Sequence, residues 1–511
     1  MFIKKINISW QAFLAFAMFA LLLVQMFGLI APLRAGDLYN TYSIVCICVC
    51  AGIYFSRKGL SGPWEVKLFI AYLAWVLITR WLNKDFYLFV DFDFVIMTLF
   101  SFLLFVMGTQ LNSRQREIFL DIFTLVYAGF FVLVSIAGIF VTITDTYIHL
   151  PPEDVWITVK GNAYILSLNL LSCPTAVGAS TVFIAWSLIV YQLTKRKNLF
   201  VKALLLASVI VLHITIPLFH CRSLQIVLSI SYGMLALLFA IKFFNKKNAS
   251  FKAIILPIIT AVAFVICFLS FNWTNLLVSK IYDHSAPRFE TFYDNLETKL
   301  NPDYFGIILT PEEIAELGVK SSNTDFVLKP LRTFVGIEDP TPSPLSNKAK
   351  MTDYRKFFGN ATLSGRTITW KSGLIALKQH PIICIRGGLT NVFMDTVNKI
   401  RSGLIDATYD ASHMHNMFFE VLMITGIPGL LLILLWTILM VKTMLKVYFD
   451  KSKGISLAIK ALTIPIAGIF VFNLTEVAIF GNLPVNGICF FIIAGIFVGY
   501  YYDYFPKSAK S

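Results

Sequence analysis

Long apolar stretches recur along this chain from end to end, and nothing else limits its fold as strongly. They cover residues 10–31, 39–55, 66–82, 87–108, 117–142, 174–193, 199–219, 223–243, 251–271, 414–442, 455–475 and 485–503. Each is close to the ~20 apolar residues with which a helix crosses the hydrocarbon core of a bilayer. No water reaches backbone N–H and C=O groups there, and a helix satisfies all of them within one segment. The expected fold is therefore all-α, a polytopic membrane protein of about twelve transmembrane helices. Composition agrees: 57% of the 511 residues are hydrophobic and 14% are charged, where soluble domains carry about 25% charged residues. The first stretch follows Lys4 and Lys5 but is too long for a signal peptide and lacks a cleavage site, so it reads as a span.

A net charge of +14 would ordinarily raise nucleic acid as a partner. Here the cations sit in short connections beside spans, which orients a chain in a membrane and argues against nucleic acid. Lys4/Lys5, Arg57/Lys58/Lys67, Arg114/Arg116, Lys195/Arg196/Lys197, Lys242/Lys246/Lys247, Lys442/Lys446/Lys451/Lys453 and Lys507/Lys510 all fall in alternate connections. The intervening connections hold few: Arg34, Arg80 with Lys84, Lys160 and Arg222. The positive-inside rule then places both termini in the cytoplasm. A miscount by one span would break the alternation. The eight cysteines form no disulfide or zinc framework.

Two connections are long, and both fall on the outside. One covers about 143–173 and the other about 272–413, the latter carrying Pro311, Pro330, Pro340, Pro342 and Pro344 among charges of both signs. Long loops in compact proteins are usually functional. The chain thus divides into helices 1–9 over 1–271, a large extracytoplasmic loop domain over 272–413 between helices 9 and 10, and helices 10–12 over 414–511. No internal repeat is evident.

Candidate chemistry gathers around the second loop. Ser364-Gly-Arg-Thr-Ile-Thr-Trp opens an expected helix that ends at His380-Pro381, with Ser364 as N-cap and Arg366 in the first turn. A helix N-terminus attracts anions, and an arginine there adds bidentate phosphate recognition; the competing reading is a plain surface arginine. Arg222 lies in Phe219-His-Cys-Arg-Ser-Leu, where the eighth span begins. Charge at membrane depth is functional by default, although arginine also snorkels to the interface. Ser412-His-Met-His-Asn-Met-Phe-Phe-Glu420 opens the tenth span. A histidine at a helix N-terminus is kept neutral by the dipole and ready as a base. His413 and His415 could instead be interfacial, or metal ligands. On a helix, however, i and i+2 side chains diverge and no cysteine or acid cluster joins them. Gly426-Ile-Pro-Gly429 breaks or kinks the long apolar run, leaving a half-helix that bears Asn416 and Glu420, the latter expected to be a buried acid. Asp91 and Asp93 match a DxD metal signature over three residues only, and read better as interfacial acids. P-loop, HExxH, GxSxG and CxxC signatures are absent from the sequence, so no cofactor is expected.

Three features together resemble the O-antigen ligase and polymerase family of bacterial envelope glycan assembly. They are Arg222 at a helix start, the loop segment SGRTITWKSGLIALKQHPI, and HMHNMFFEVLMITGIPGLLLIL at re-entry into the membrane. The family pattern GR…W…A…HP, then HN, then a G-x-P-G helix is matched in order over roughly 364–440. The family's G-x-G after HP is here Cys384-Ile-Arg-Gly-Gly388. The resemblance implies a metal-independent glycosyltransferase of the membrane C-type class, acting on the outer face of the bacterial inner membrane. It would move a glycan from undecaprenyl diphosphate to an acceptor hydroxyl. His415 would be the base and Arg222, Arg366 and Arg386 would bind the donor diphosphate, with His413, Asn416 and Glu420 in support. The favoured acceptor is lipid A-core, making the protein an O-antigen ligase of lipopolysaccharide biosynthesis. Alternatives are an O-antigen or capsular polysaccharide polymerase, a protein O-oligosaccharyltransferase and, from another class, a flippase or transporter. A transporter would be expected to show internal repeats and broken helices at the midplane.

Overall fold

The computed structural model describes residues 63–82, 90–144, 175–218, 221–244, 249–283, 360–387, 396–401, 414–450, 454–476 and 484–505. The first two expected spans, His413, and most of both long connections lie outside the described residues. All regular structure among the described residues is helical. The helices are α1 (Trp64–Leu82), α2 (Val90–Gln110), α3 (Ser113–Phe123), α4 (Gly129–Thr144), α5 (Thr175–Lys195), α6 (Leu199–Leu218), α7 (Arg222–Phe243) and α8 (Ala249–Asp283). They continue with α9 (Asn360–Gln379), α10 (Pro381–Arg386), α11 (Met417–Tyr448), α12 (Leu457–Ala461), α13 (Thr463–Phe472) and α14 (Pro484–Tyr504). A π-helical turn, Thr124–Ala128, joins α3 to α4.

Six helices among the described residues are long and apolar enough to cross a membrane, at Ser113–Ala137, Leu199–Ile216, Ser223–Phe243, Ala249–Phe271, Met417–Tyr448 and Gly487–Tyr504. The chain is an integral membrane protein. Each of these segments overlaps an apolar stretch read from the sequence. The described parts of the stretches at 66–82, 87–108, 174–193 and 455–475 are also largely helical, the last interrupted between Ala461 and Thr463. In α5, Ser180, Thr181, Ser187 and Gln192 are buried. Hydropathy also marks where an apolar surface stops rather than where a helix stops: α8 runs on to Asp283, past the apolar limit at 271.

Lipid is as apolar as leucine, so helices associate in it through close packing and polar contacts rather than a hydrophobic drive. Gly108 of α2 and Gly495 of α14 provide that closeness: a methyl on Gly108 would lie 2.7 Å from the Ile496 backbone nitrogen. Beside them Trp436 of α11 is fully buried, with Phe69 of α1 stacked on it at 5.7 Å and Phe105 edge-on at 5.9 Å. Such aromatic pairs contribute about 0.5–1.5 kcal/mol each beyond area.

Among the described residues, cations from three of the connections that the charge rule groups on one side meet at one end of the bundle. Arg116 at the start of α3 donates to Asp503 at the end of α14 at 2.6 Å and to the Thr109 carbonyl at 3.0 Å. Lys195 at the end of α5 bridges Asp121 at 2.7 Å and Glu117 at 2.9 Å. Lys446 lies over the Tyr501 and Phe505 rings, and Glu65 at the start of α1 accepts from Thr443 and Tyr502. The opposite end of α11 holds the residues considered next.

Candidate active site

Helix α9 is amphipathic. Thr369, Ser372, Gly373, Ala376 and Leu377 form its buried face, at the i, i+3, i+4, i+7, i+8 spacing of a helical stripe. Arg366 continues that stripe one turn earlier and is partly open to the outside. The stripe packs on a small separate core of Val397, Met414 and Met423. Trp370 fixes the junction, stacking on Phe419 at 5.6 Å and donating its indole N–H to the Met414 carbonyl at 2.6 Å. One expectation is corrected here. The helix begins at Asn360, so Ser364 is not its N-cap and Arg366 is not in its first turn. Nothing between Asn360 and Ser364 breaks a helix, and serine is tolerated inside one. The free N–H groups of the N-terminus lie about 9 Å along the axis from Arg366, which must therefore meet an anion with its own guanidinium.

The turn entering α11 is pinned on both sides. Asn416 is the N-cap, its Oδ1 accepting from the Phe418 and Phe419 N–H groups at 2.9 and 3.1 Å. Its Nδ2 donates to the Leu474 carbonyl at 2.8 Å, and the Met417 N–H donates to the Asn473 carbonyl at 2.9 Å. Glu420 is buried, as expected, and accepts the Met414 N–H at 2.8 Å. Between these anchors His415 has φ +50°, the one positive φ outside glycine among the described residues. That region is sparsely populated for a non-glycine residue, and such strain gathers at functional sites.

The expected kink in α11 falls at Gly426, with φ +71° and ψ −174°. The Thr425 carbonyl takes a hydrogen bond from the Trp75 indole at 2.6 Å. The end of α10 docks into the break: Gly387, itself at φ +72°, lies against Ile424, and a methyl on Gly426 would come within 2.7 Å of the Cys384 carbonyl. This close fit explains why glycine is required after Cys384-Ile-Arg. The half-helix ahead of the kink is the one that carries Glu420.

One residue was overlooked in the sequence and joins the others. Glu476 follows α13, with its backbone N–H donating to the Phe472 carbonyl at 2.9 Å. Its Oε1 accepts from Arg366 Nη2, and its Oε2 is 3.2 Å from His415 Nδ1. Arg366 Nη1 also reaches the Ser223 hydroxyl at 3.4 Å, which brings the start of α7, where Arg222 is the first residue, alongside the pair. The Glu476 side chain is only 8% exposed, against 25% for Arg366 and 29% for His415. A sealed carboxylate thus backs a cation and an imidazole that both open outward. A carboxylate only accepts, so the facing Nδ1 carries the proton, and in the neutral ring Nε2 is the basic nitrogen. Cys221 next to this group is no nucleophile, since burial, with Glu476 adding to it, pushes its thiol up to about 12. Arg386 is set apart: it ends α10 with its side chain exposed. Among the described residues no group of three or more His, Cys, Asp or Glu could hold a metal ion.

Residues 206–434 match the family model described as O-antigen ligase. Over that segment the chain is similar to O-antigen ligases. No curated protein and no solved structure matches the chain. Arg222, Arg366, Arg386, His415, Asn416 and Glu420 all fall within the O-antigen ligase segment, whereas Glu476 lies downstream of it. The lone charge between Lys460 and Asp503, Glu476 was visible in the sequence as an acid flanked by apolar residues. The rule that drew attention to Arg222 applies equally to it.

Proposed function

We propose that the protein transfers a glycan from a lipid-linked diphosphate, undecaprenyl diphosphate in the bacterial inner membrane, to an acceptor hydroxyl on the outer face. The observation that carries this reading is the junction of Arg366 and His415 on one sealed carboxylate, within reach of the start of α7. In the reaction, the acceptor O–H gives its proton to His415 Nε2 while its oxygen bonds to the anomeric carbon of the donor sugar. The bond from that carbon to the diphosphate oxygen breaks, and its electron pair leaves with the phosphate. Arg366 and Arg222 take up the charge that develops there, as preorganised cations do in water-poor sites. Arg386, exposed at the end of α10, meets the donor at the rim. His413, Asn416 and Glu420 support the base. With arginines on the diphosphate, a metal ion has no necessary part.

The loop over 272–413 forms the extracytoplasmic cap of this site, between helices 9 and 10 of a twelve-span chain with both termini in the cytoplasm. The favoured acceptor is lipid A-core, which makes the protein an O-antigen ligase; a second lipid-linked glycan as acceptor would make it a polymerase. Purified protein in detergent is given undecaprenyl-diphosphate-linked glycan and lipid A-core, with and without EDTA. Glycosylated core that forms equally well in EDTA is expected. Lengthening of the donor glycan with no product on the core would reassign the acceptor. No transfer to either acceptor would remove the glycosyltransferase reading.

A further inference from the structure

We infer that Glu476 is a positioning residue that holds His415 in its proton-accepting form and releases Arg366 to the donor. This rests on the glycosyl-transfer reading above. The carboxylate divides its oxygens between the two groups, Oε1 to Arg366 and Oε2 to His415 Nδ1. It is buried, and it is mounted on the segment that also anchors the base. Asn473 and Leu474 accept the hydrogen bonds from Met417 and Asn416 that fix the turn carrying His415. Acid and imidazole therefore move as one unit. The positive φ of His415 shows that this unit holds the ring where the backbone alone would not place it.

Two consequences follow from that geometry. A carboxylate facing Nδ1 selects the tautomer with the lone pair on Nε2, and stabilises the imidazolium formed when the acceptor's proton arrives. The same carboxylate occupies Arg366 before the donor binds. A diphosphate that engages the guanidinium bidentately draws it off Glu476, whose charge then falls on His415 alone. Donor binding thus sets the base. Among the described residues, the Ser223 hydroxyl on Arg366 and the Cys221 thiol just ahead of α7 also face the pair, while the nearby acid of α11, Glu420, is engaged with the Met414 N–H.

The test uses the full chain in detergent with undecaprenyl-diphosphate glycan and lipid A-core, comparing wild type, Glu476→Gln and Glu476→Asp. In Glu476→Gln, kcat is expected to fall on the order of 10²-fold, with the acidic limb of its pH profile moved to lower pH because the imidazolium has lost its counter-charge. The KM for donor should stay level or drop, because nothing competes for Arg366. Glu476→Asp keeps the charge and should recover part of kcat. A kcat within threefold of wild type for Glu476→Gln, or an unmoved pH profile, overturns the proposal. A purely structural role would raise the donor KM together with the fall in kcat. Histidine-selective NMR, with the His415 signal assigned by its loss in His415→Gln, reads the ring independently of activity. The Nδ1–H tautomer in wild type and its loss in Glu476→Gln support the positioning role even if no glycan is transferred, in which case only the transfer reading fails. The same tautomer in both proteins sinks the positioning role even if transfer is robust.

Discussion

At the scale of single residues, Arg366 makes two different contacts with two different nitrogens, Nη1 to Ser223 and Nη2 to Glu476. A lysine presents one point charge and cannot serve both. Arg366→Lys should therefore raise the donor KM about tenfold, near 1.4 kcal/mol, while the protein stays folded; a donor titration of transfer rate measures it, and an unchanged KM would place the diphosphate elsewhere. This scale also shows how far the sequence reaches. The residue types of Arg366, His415, Asn416 and Glu420 announced their chemistry, and Glu420 is buried as expected. Glu476 was passed over because attention followed the long loop, and an acid in a short connection between spans reads as interfacial polarity. The φ of +50° at His415 had no signal at all, since it comes from anchors on α9, on α11 and just after α13 rather than from local sequence.

Among the elements, α11 is the one that carries the site, and its Gly426 kink was legible because Gly426-Ile-Pro-Gly429 cannot continue a regular helix. What the sequence did not show is that the kink is a socket. Gly387 and Cys384 of the preceding segment fill it, and Trp75 of α1 takes the Thr425 carbonyl. Gly426→Ala would place a side chain at φ +71° and push a methyl to 2.7 Å from the Cys384 carbonyl and 2.8 Å from that of Ile385. It should destabilise the protein by about 1–3 kcal/mol, seen as a lower thermal midpoint in detergent, and slow transfer by loosening the half-helix behind His415. An unchanged midpoint would mean the socket can open without cost. The start of α9 was misplaced by four residues, since Ser364 fits a cap by type while Asn360 and the three residues after it are equally at ease in a helix.

For the whole molecule, hydropathy was enough to place the six described helices that can cross a membrane, because a bilayer leaves few other ways to satisfy the backbone. The basic group around Arg116, Lys195 and Lys446 gathers at one end of the bundle, and Arg366, His415 and Glu476 gather at the other. Hydropathy could not say which helices adjoin. That is set by small residues such as Gly108 and Gly495, and by the rings around Trp436. In the transfer proposed above, that separation would leave the lipid of the donor in the membrane while its diphosphate meets the arginines.

The most direct test of glycan transfer at this junction is to measure donor binding and transfer side by side in wild type and His415→Ala. The alanine variant should bind undecaprenyl-diphosphate glycan within a few-fold of wild type, because the arginines remain, yet transfer it at least ~10²-fold more slowly. Transfer by His415→Ala at the wild-type rate would contradict the assignment of the base and, with it, the site.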